Sequence, residues 1–160
     1  IKSTYQTDSE HASGFTLGAF TGYFRDRSSR KNCTYPYSDY DAHYVLGVIY
    51  DRATEKLYED KIHSIDELAN IVSVVKNFKF VIQEKWRIAS DSPGSGNTTN
   101  IGSVKKIDDL INGNGLFAPY GEKVFDEYWM NYLTSDMARR IDSPMPYKNF
   151  KGYQLWRGSR

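Results

Sequence analysis

Residue types capable of specific chemistry concentrate in one stretch, Ser92-Pro93-Gly94-Ser95-Gly96-Asn97-Thr98-Thr99-Asn100-Ile101-Gly102-Ser103, twelve uncharged and mostly small polar residues. Alternating Gly94 and Gly96 open backbone conformations closed to other residues and let the main chain lie against a ligand. A nucleotide-hydrolase phosphate loop needs a glycine followed by Lys-Ser or Lys-Thr, and the run contains no lysine. A dinucleotide fingerprint needs a third glycine where Thr99 stands. The side chains suit a different ligand, the major-groove edges of DNA base pairs. Asn pairs bidentately with adenine, the Thr methyl packs on the thymine methyl, and glycine amides approach base edges unobstructed. Asn97-Thr98-Thr99-Asn100 offers these groups. By residue type alone the run reads first as an ordinary flexible loop, because Gly, Ser, Asn and Thr are what loops are made of.

Other chemistry is thinner. His11, His43 and His63 are too scattered for a local metal motif. Glu59-Asp60-Lys61 has the acid-any-lysine spacing of metal-dependent nucleases, but its charged surroundings, Glu55 to Lys61, read as a solvated loop. Asn97-Thr98-Thr99 and Asn32-Cys33-Thr34 match the glycosylation sequon, a short pattern with no sign of secretion behind it. Cys33 is the sole cysteine, which excludes an internal disulfide and a cysteine-based zinc cluster and fits a reducing cytoplasm.

With 160 residues the chain suits one domain, residues 1–160, with a real core. At 39% hydrophobic and 26% charged residues it is neither disordered nor membrane-spanning, since no apolar run approaches the ~20 residues a bilayer helix needs. The net charge of +1 does not announce a nucleic-acid binder, but two basic patches stand in the neutral whole. Arg25 to Lys31 carries four positive charges against Asp26, and Arg139 to Arg160 carries six against Asp142. Within the second patch, Tyr147, Phe150, Tyr153 and Trp156 read as packing residues. The chain opens with Ile1 in a strand-like run, so it reads as a piece of something longer.

The elements that must position this chemistry follow from periodicity. Gly14 to Phe24 places Phe15, Leu17 and Ala19 on one parity, which predicts a strand. Tyr44 to Tyr50 is nearly continuous apolar sequence, a buried strand or a buried helix segment. Ser64-Ile65-Asp66-Glu67 has capping-box spacing and predicts a short helix to about Val75. Phe78 to Ala89 predicts a strand with Phe78, Phe80, Ile82, Trp86 and Ile88 on its apolar face, where Glu84 also falls and needs a cationic partner. Val104, Ile107, Leu110 and Ile111 make one face of a short helix. Val124, Phe125, Tyr128, Trp129, Tyr132 and Leu133 make one face of a longer one, after a turn at Asn112-Gly113-Asn114-Gly115.

Gly94 to Ser103 resembles the recognition loop of the EcoRV-like type II restriction endonucleases. Ile1-Lys2, Thr4-Tyr5, Phe15-Thr16-Leu17-Gly18, Tyr35-Pro36, Ala42-His43, Gln83, Lys85-Trp86, Ile88-Ala89 and Trp156-Arg157-Gly158 resemble the same family in the same order. The likeness is weakest near Ala53 to Asn77 and Asp136 to Lys148. It implies an α/β (α+β) fold of the restriction-endonuclease-like PD-(D/E)xK type, a mixed central sheet with flanking helices, incomplete at its N-terminus. It also implies a Mg2+-dependent homodimer that cuts double-stranded DNA bluntly at a palindrome, GATATC or a close relative. A cognate DNA methyltransferase is expected in the same system, and a cytoplasmic location.

By this resemblance Gly94, Ser95, Gly96, Asn97, Thr98, Thr99 and Asn100 would read bases, and Lys2 would be the lysine of the acid-any-lysine motif. Thr4, Tyr5, Thr21, Tyr132, Ser135 and Arg139 would contact phosphates, which set register rather than sequence. Central base pairs would be read through the cost of bending a flexible step. The family's carboxylates hold the Mg2+ that lowers the pKa of its bound water. They fall before the position of Ile1, so no metal ligand is expected in these residues and the chain alone is expected to be inactive. Gly22 stands where the family has a phosphate-contacting serine, and Leu133-Thr134 lacks a family arginine. The alternatives are a non-cleaving sequence-specific DNA-binding homologue and a soluble domain whose loop holds a small ligand.

Overall fold

A computed structural model describes residues 1–21, 34–36, 39–53, 62–71, 73–94 and 99–160. Among these residues six strands, β1 (Lys2–Tyr5), β2 (Thr16–Ala19), β3 (Tyr44–Arg52), β4 (Val75–Glu84), β5 (Ala89–Pro93) and β6 (Asn100–Ser103), precede four helices. These are α1 (Ile107–Asn112), α2 (Glu122–Asn131), α3 (Ser135–Arg140) and α4 (Phe150–Gly158). One sheet is mixed, in the order β1-β3-β4, with β1 parallel to β3 and β4 antiparallel to it. The second sheet, β2-β6-β5, is antiparallel throughout. The fold is therefore mixed α+β, with a mixed sheet, flanking helices and an additional small antiparallel sheet.

The run from Tyr44 resolves as a strand. Val45 and Ile49 are buried on one parity, and Gly47 between them leaves room for a ring. A Cβ at Gly47 would stand 2.8 Å from Phe15 Cζ and 2.7 Å from Val81 Cγ1, so the residue ahead of β2 packs directly on β3. Phe15, Leu17 and Ala19 are buried as their alternation predicts, but β2 ends at Ala19 and the expected strand beyond residue 21 lies outside the described residues. The core continues into the helices as a ring cluster, where Phe117, Phe125, Tyr128 and Trp129 are at most 1% exposed. Tyr147, Phe150 and Tyr153 are buried there too, the packing role expected of them.

Three expectations need correction. The strand from Phe78 to Ala89 is two strands, because Lys85–Ile88 forms a 3-10 turn between β4 and β5. Beyond β4, Ile88 is buried and Trp86 packs on the core, as expected. Within β4 the apolar parity faces outward: Phe78, Phe80 and Ile82 are 52%, 69% and 66% exposed, whereas Val81 and Lys85 are buried. Register decides this, since Val81 pairs with Gly47 on the side that Phe15 covers, leaving Phe80 and Ile82 beside Val48 and Leu46 on the other. Ile111 turns outward from α1. The helix predicted to Val75 is a 3-10 turn, Ile65–Asn70, although the Glu67 carboxylate does accept the Ser64 amide at 3.0 Å.

Candidate nucleic-acid interface

β5 and β6, the two ends of the Gly/Asn/Thr run, pair as an antiparallel hairpin. Its root is held on both sides. The Gly94 amide donates to Asn100 O at 2.8 Å, closing the loop, and the Phe20 amide donates to Thr99 O at 2.9 Å. Lower down, the buried Ser103 hydroxyl accepts the Phe15 amide at 2.7 Å and donates to Val104 O. A Cβ at Gly94 would stand 2.8 Å from Thr16 Cγ2, and one at Gly102 would stand 2.7 Å from Ser92 O. These two glycines are therefore required by strand packing itself. Of the readout residues, Gly94, Thr99 and Asn100 are half-buried at this root, whereas Ser95, Gly96, Asn97 and Thr98 lie outside the described residues. So do Gly22, the Arg25 to Lys31 patch, Cys33 and Glu59-Asp60-Lys61.

A cleft of about 470 Å³ opens beside the hairpin, lined by Pro93, Tyr132, Leu133, Thr134, Ser135 and Lys148, among others. It brings two expected phosphate contacts, Tyr132 and Ser135, against the strand that leads into the loop. Ser135 begins α3, whose Thr134 cap accepts the Met137 amide at 3.2 Å. Tyr132 is 8% exposed, with its ring 5.0 Å from Trp129 and 5.5 Å from Phe20. Burial, and then the charge of Asp91, raises its pKa, so its hydroxyl stays protonated at neutral pH. Arg139 is exposed on α3 and ion-paired to Asp136. Thr21, half-buried, directly follows the Phe20 amide that holds Thr99.

Lys2, Thr4 and Tyr5 stand on the mixed sheet, apart from this cleft. Lys2 pairs with Gly47 and is half-buried; Thr4 pairs with Ile49 and is 5% exposed. The Arg52 guanidinium lies 3.7 Å over the Tyr5 ring. Phe15 bridges the two groups, its ring on Gly47 and its amide on Ser103 of the hairpin.

Sequence reasoning passed over Asp91, two residues before Pro93. Its carboxylate accepts the Phe150 amide of α4 at 3.0 Å and the Ser92 hydroxyl at 3.1 Å. Its carbonyl accepts the Tyr128 hydroxyl at 2.7 Å, and Tyr128 O in turn accepts the Tyr147 hydroxyl at 2.6 Å. Burial, and then the charge of Asp91, raises the Tyr128 pKa as well. An acid directly between a strand and a glycine-rich run was the available signal.

Among the described residues no group of three or more His, Cys, Asp or Glu side chains is placed to hold a metal ion. No helix among them is long and apolar enough to cross a membrane.

Comparison with known proteins accounts for nearly the whole chain. The type II restriction enzyme EcoRV of Escherichia coli is 37% identical over 157 residues, which is 98% of this chain and 61% of that protein. The chain thus spans about three fifths of the length of that relative. The family profile described as restriction endonuclease EcoRV matches residues 1–158. On that match, carried through both sheets, the hairpin and the helices behind it, the chain belongs to the EcoRV restriction endonuclease family.

Proposed function

We propose that these 160 residues are a single-domain fragment of the catalytic and DNA-recognition domain of a type II restriction endonuclease. The complete enzyme hydrolyses phosphodiester bonds of double-stranded DNA at GATATC or a closely related palindrome and leaves blunt ends. The working form is a Mg2+-dependent homodimer in the cytoplasm, accompanied by a methyltransferase that protects the host's own sites. The observation that supports this most is the hairpin in a chain of this family: a root pinned through Gly94, Asn100 and Phe20, carrying a tip of base-reading residue types.

The residues would divide the work as follows. A rigid root fixes where Asn97 and Thr98 meet the base edges, and good bidentate contacts of this type discriminate by about 1 to 3 kcal/mol each. Ser135, Tyr132 and Lys148, on the cleft beside Pro93, would take the backbone phosphates and set register. Lys2 would place a fixed cation beside the scissile phosphate, where negative charge grows during cleavage. Divalent cations of this class need several oxygen ligands. The described residues do not assemble such a set, so they do not by themselves fit the metal.

The test uses the protein expressed from its complete coding frame and a plasmid with one GATATC site. The expected result is a single blunt cut with Mg2+ that is lost with a chelator. Lys2→Ala should lower the cleavage rate by about 100-fold or more, with binding to the site retained. Equal affinity for matched and scrambled duplexes would overturn the reading. Selective binding without cleavage by the unaltered protein would replace it with that of a DNA-binding homologue that does not cut.

A further inference from the structure

We propose that Asp91 is a positioning residue for base readout, the tie that holds the recognition hairpin at a set angle to α4 and α2. The inference rests on the DNA-recognition reading above and deepens it. Asp91 lies on β5, three residues before Gly94, and it is the point where separate parts of the molecule meet. One carboxylate oxygen receives the first helical amide of α4, Phe150 N, at 3.0 Å. Asn149 caps the same turn through Gly152 N at 2.9 Å, so two side chains from different elements share that helix start. The main-chain oxygen of Asp91 receives the Tyr128 hydroxyl from α2, itself locked by Tyr147. Both ends of residue 91 are thus fixed to helices, whereas the opposite arm of the hairpin is fixed, among these contacts, to Phe15 and Phe20 on either side of β2, through Ser103 and Thr99.

Geometry gives this arrangement a consequence for specificity. Base contacts are directional and fail with small displacements, whereas phosphate contacts depend mainly on charge and tolerate them. Loosening one arm at its root lets the tip tilt, so discrimination between sites should fall while general affinity for DNA survives. Asn at position 91 keeps an oxygen for the Phe150 amide and a polar partner for Ser92; Ala keeps neither.

The experiment compares the native full chain, Asp91→Asn and Asp91→Ala. Affinities are measured for a GATATC duplex and for a duplex with one outer base pair changed, alongside amide hydrogen exchange at Gly94. In Asp91→Ala the preference for the matched duplex should fall by about tenfold or more, the worth of one good base contact. Affinity for the changed duplex should stay within about twofold, because it rests on phosphates. Gly94 exchange should quicken, and Asp91→Asn should restore both readouts. Should Asp91→Ala fail to fold, Tyr128→Phe removes only the bond to the Asp91 carbonyl and should shift both readouts in the same direction. Unchanged discrimination in a folded Asp91→Ala, or equal loss in the Asn and Ala variants, overturns the proposal. If the native protein prefers no duplex, the DNA reading itself fails. Gly94 exchange then decides the tie alone: faster exchange supports it, and unchanged exchange overturns it.

Discussion

His43 shows how one side chain ties protonation to folding. It is half-buried, its carbonyl accepts the Lys85 amide at 2.8 Å, and burial, followed by the nearby Lys85 charge, pushes its pKa down to about 4. The folded protein therefore keeps it neutral down to about pH 4, while the unfolded chain takes up a proton near the ordinary 6.5. Its contribution is present above pH 6.5 and is lost as pH falls toward 4. Urea midpoints should drop across that window, and His43→Gln should flatten the drop. Asp8 does not confuse the reading. Hydrogen bonds from the Glu10 amide and from His11 lower its pKa, so its own loss falls below the ordinary 3.8. The histidine was visible in the sequence only as one of three scattered rings; its burial beside Lys85 depends on β4 ending one residue before that lysine. At the same scale, a backbone role for Gly94 was legible, but its need for glycine comes from the close approach of Thr16, and that of Gly102 from the approach of Ser92 O, which the sequence did not mark.

Among elements, α1 was the most legible, because its signals are local. Ile107 and Leu110 are buried as their spacing predicts, and the helix ends at Gly113 with φ +66. Gln83 Nε2 donates to Ile111 O at 2.6 Å and Arg87 Nε to Gly113 O at 3.4 Å, so the turn also anchors the end of β4 and the 3-10 segment after it. A Cβ at Gly113 would stand 2.6 Å from Gln83 Oε1. Gly113→Ala should therefore lower unfolding stability by about 1 to 2 kcal/mol in urea titrations, the cost of a left-handed alanine. β4 was the least legible, for the opposite reason. Alternation marks which residues share a face without saying which face meets the core. Phe80 and Ile82 obey the alternation and still point outward, because pairing with Gly47 turns Val81 toward Phe15.

On the scale of the whole molecule, the mixed sheet carries apolar residues on both faces, the pattern of strands built for cover on both sides. One face packs on Phe15 and the helices; the other leaves Tyr44, Phe78, Phe80 and Ile82 at least half exposed among the described residues. Patches of this kind drive association in water. For the 160-residue chain expressed by itself, Phe80→Thr with Ile82→Thr should reduce self-association in sedimentation. Unfolding stability should change by no more than about 0.5 kcal/mol per site, as expected where no buried contact is removed. A large stability loss would mean that these side chains pack against something.

Local chemistry was determined by the sequence alone. The glycine-rich run, the Gly113 cap, the parity of Phe15, Leu17 and Ala19 and the aromatic spacing of α2 are all set by neighbours within a few positions, and the family resemblance rests on those same residues in order. Only the tertiary structure decided what depends on distant partners. Register chose the outward face of β4, strand packing required Gly94 and Gly102, and the fold brought Tyr132 and Ser135 to the side of the hairpin. It also made Asp91 a junction, joining residue 91 to residues 128 and 150 through hydrogen bonds that no local pattern encodes. Periodicity reports which side chains point together; which surface they meet is settled only when the chain closes on itself.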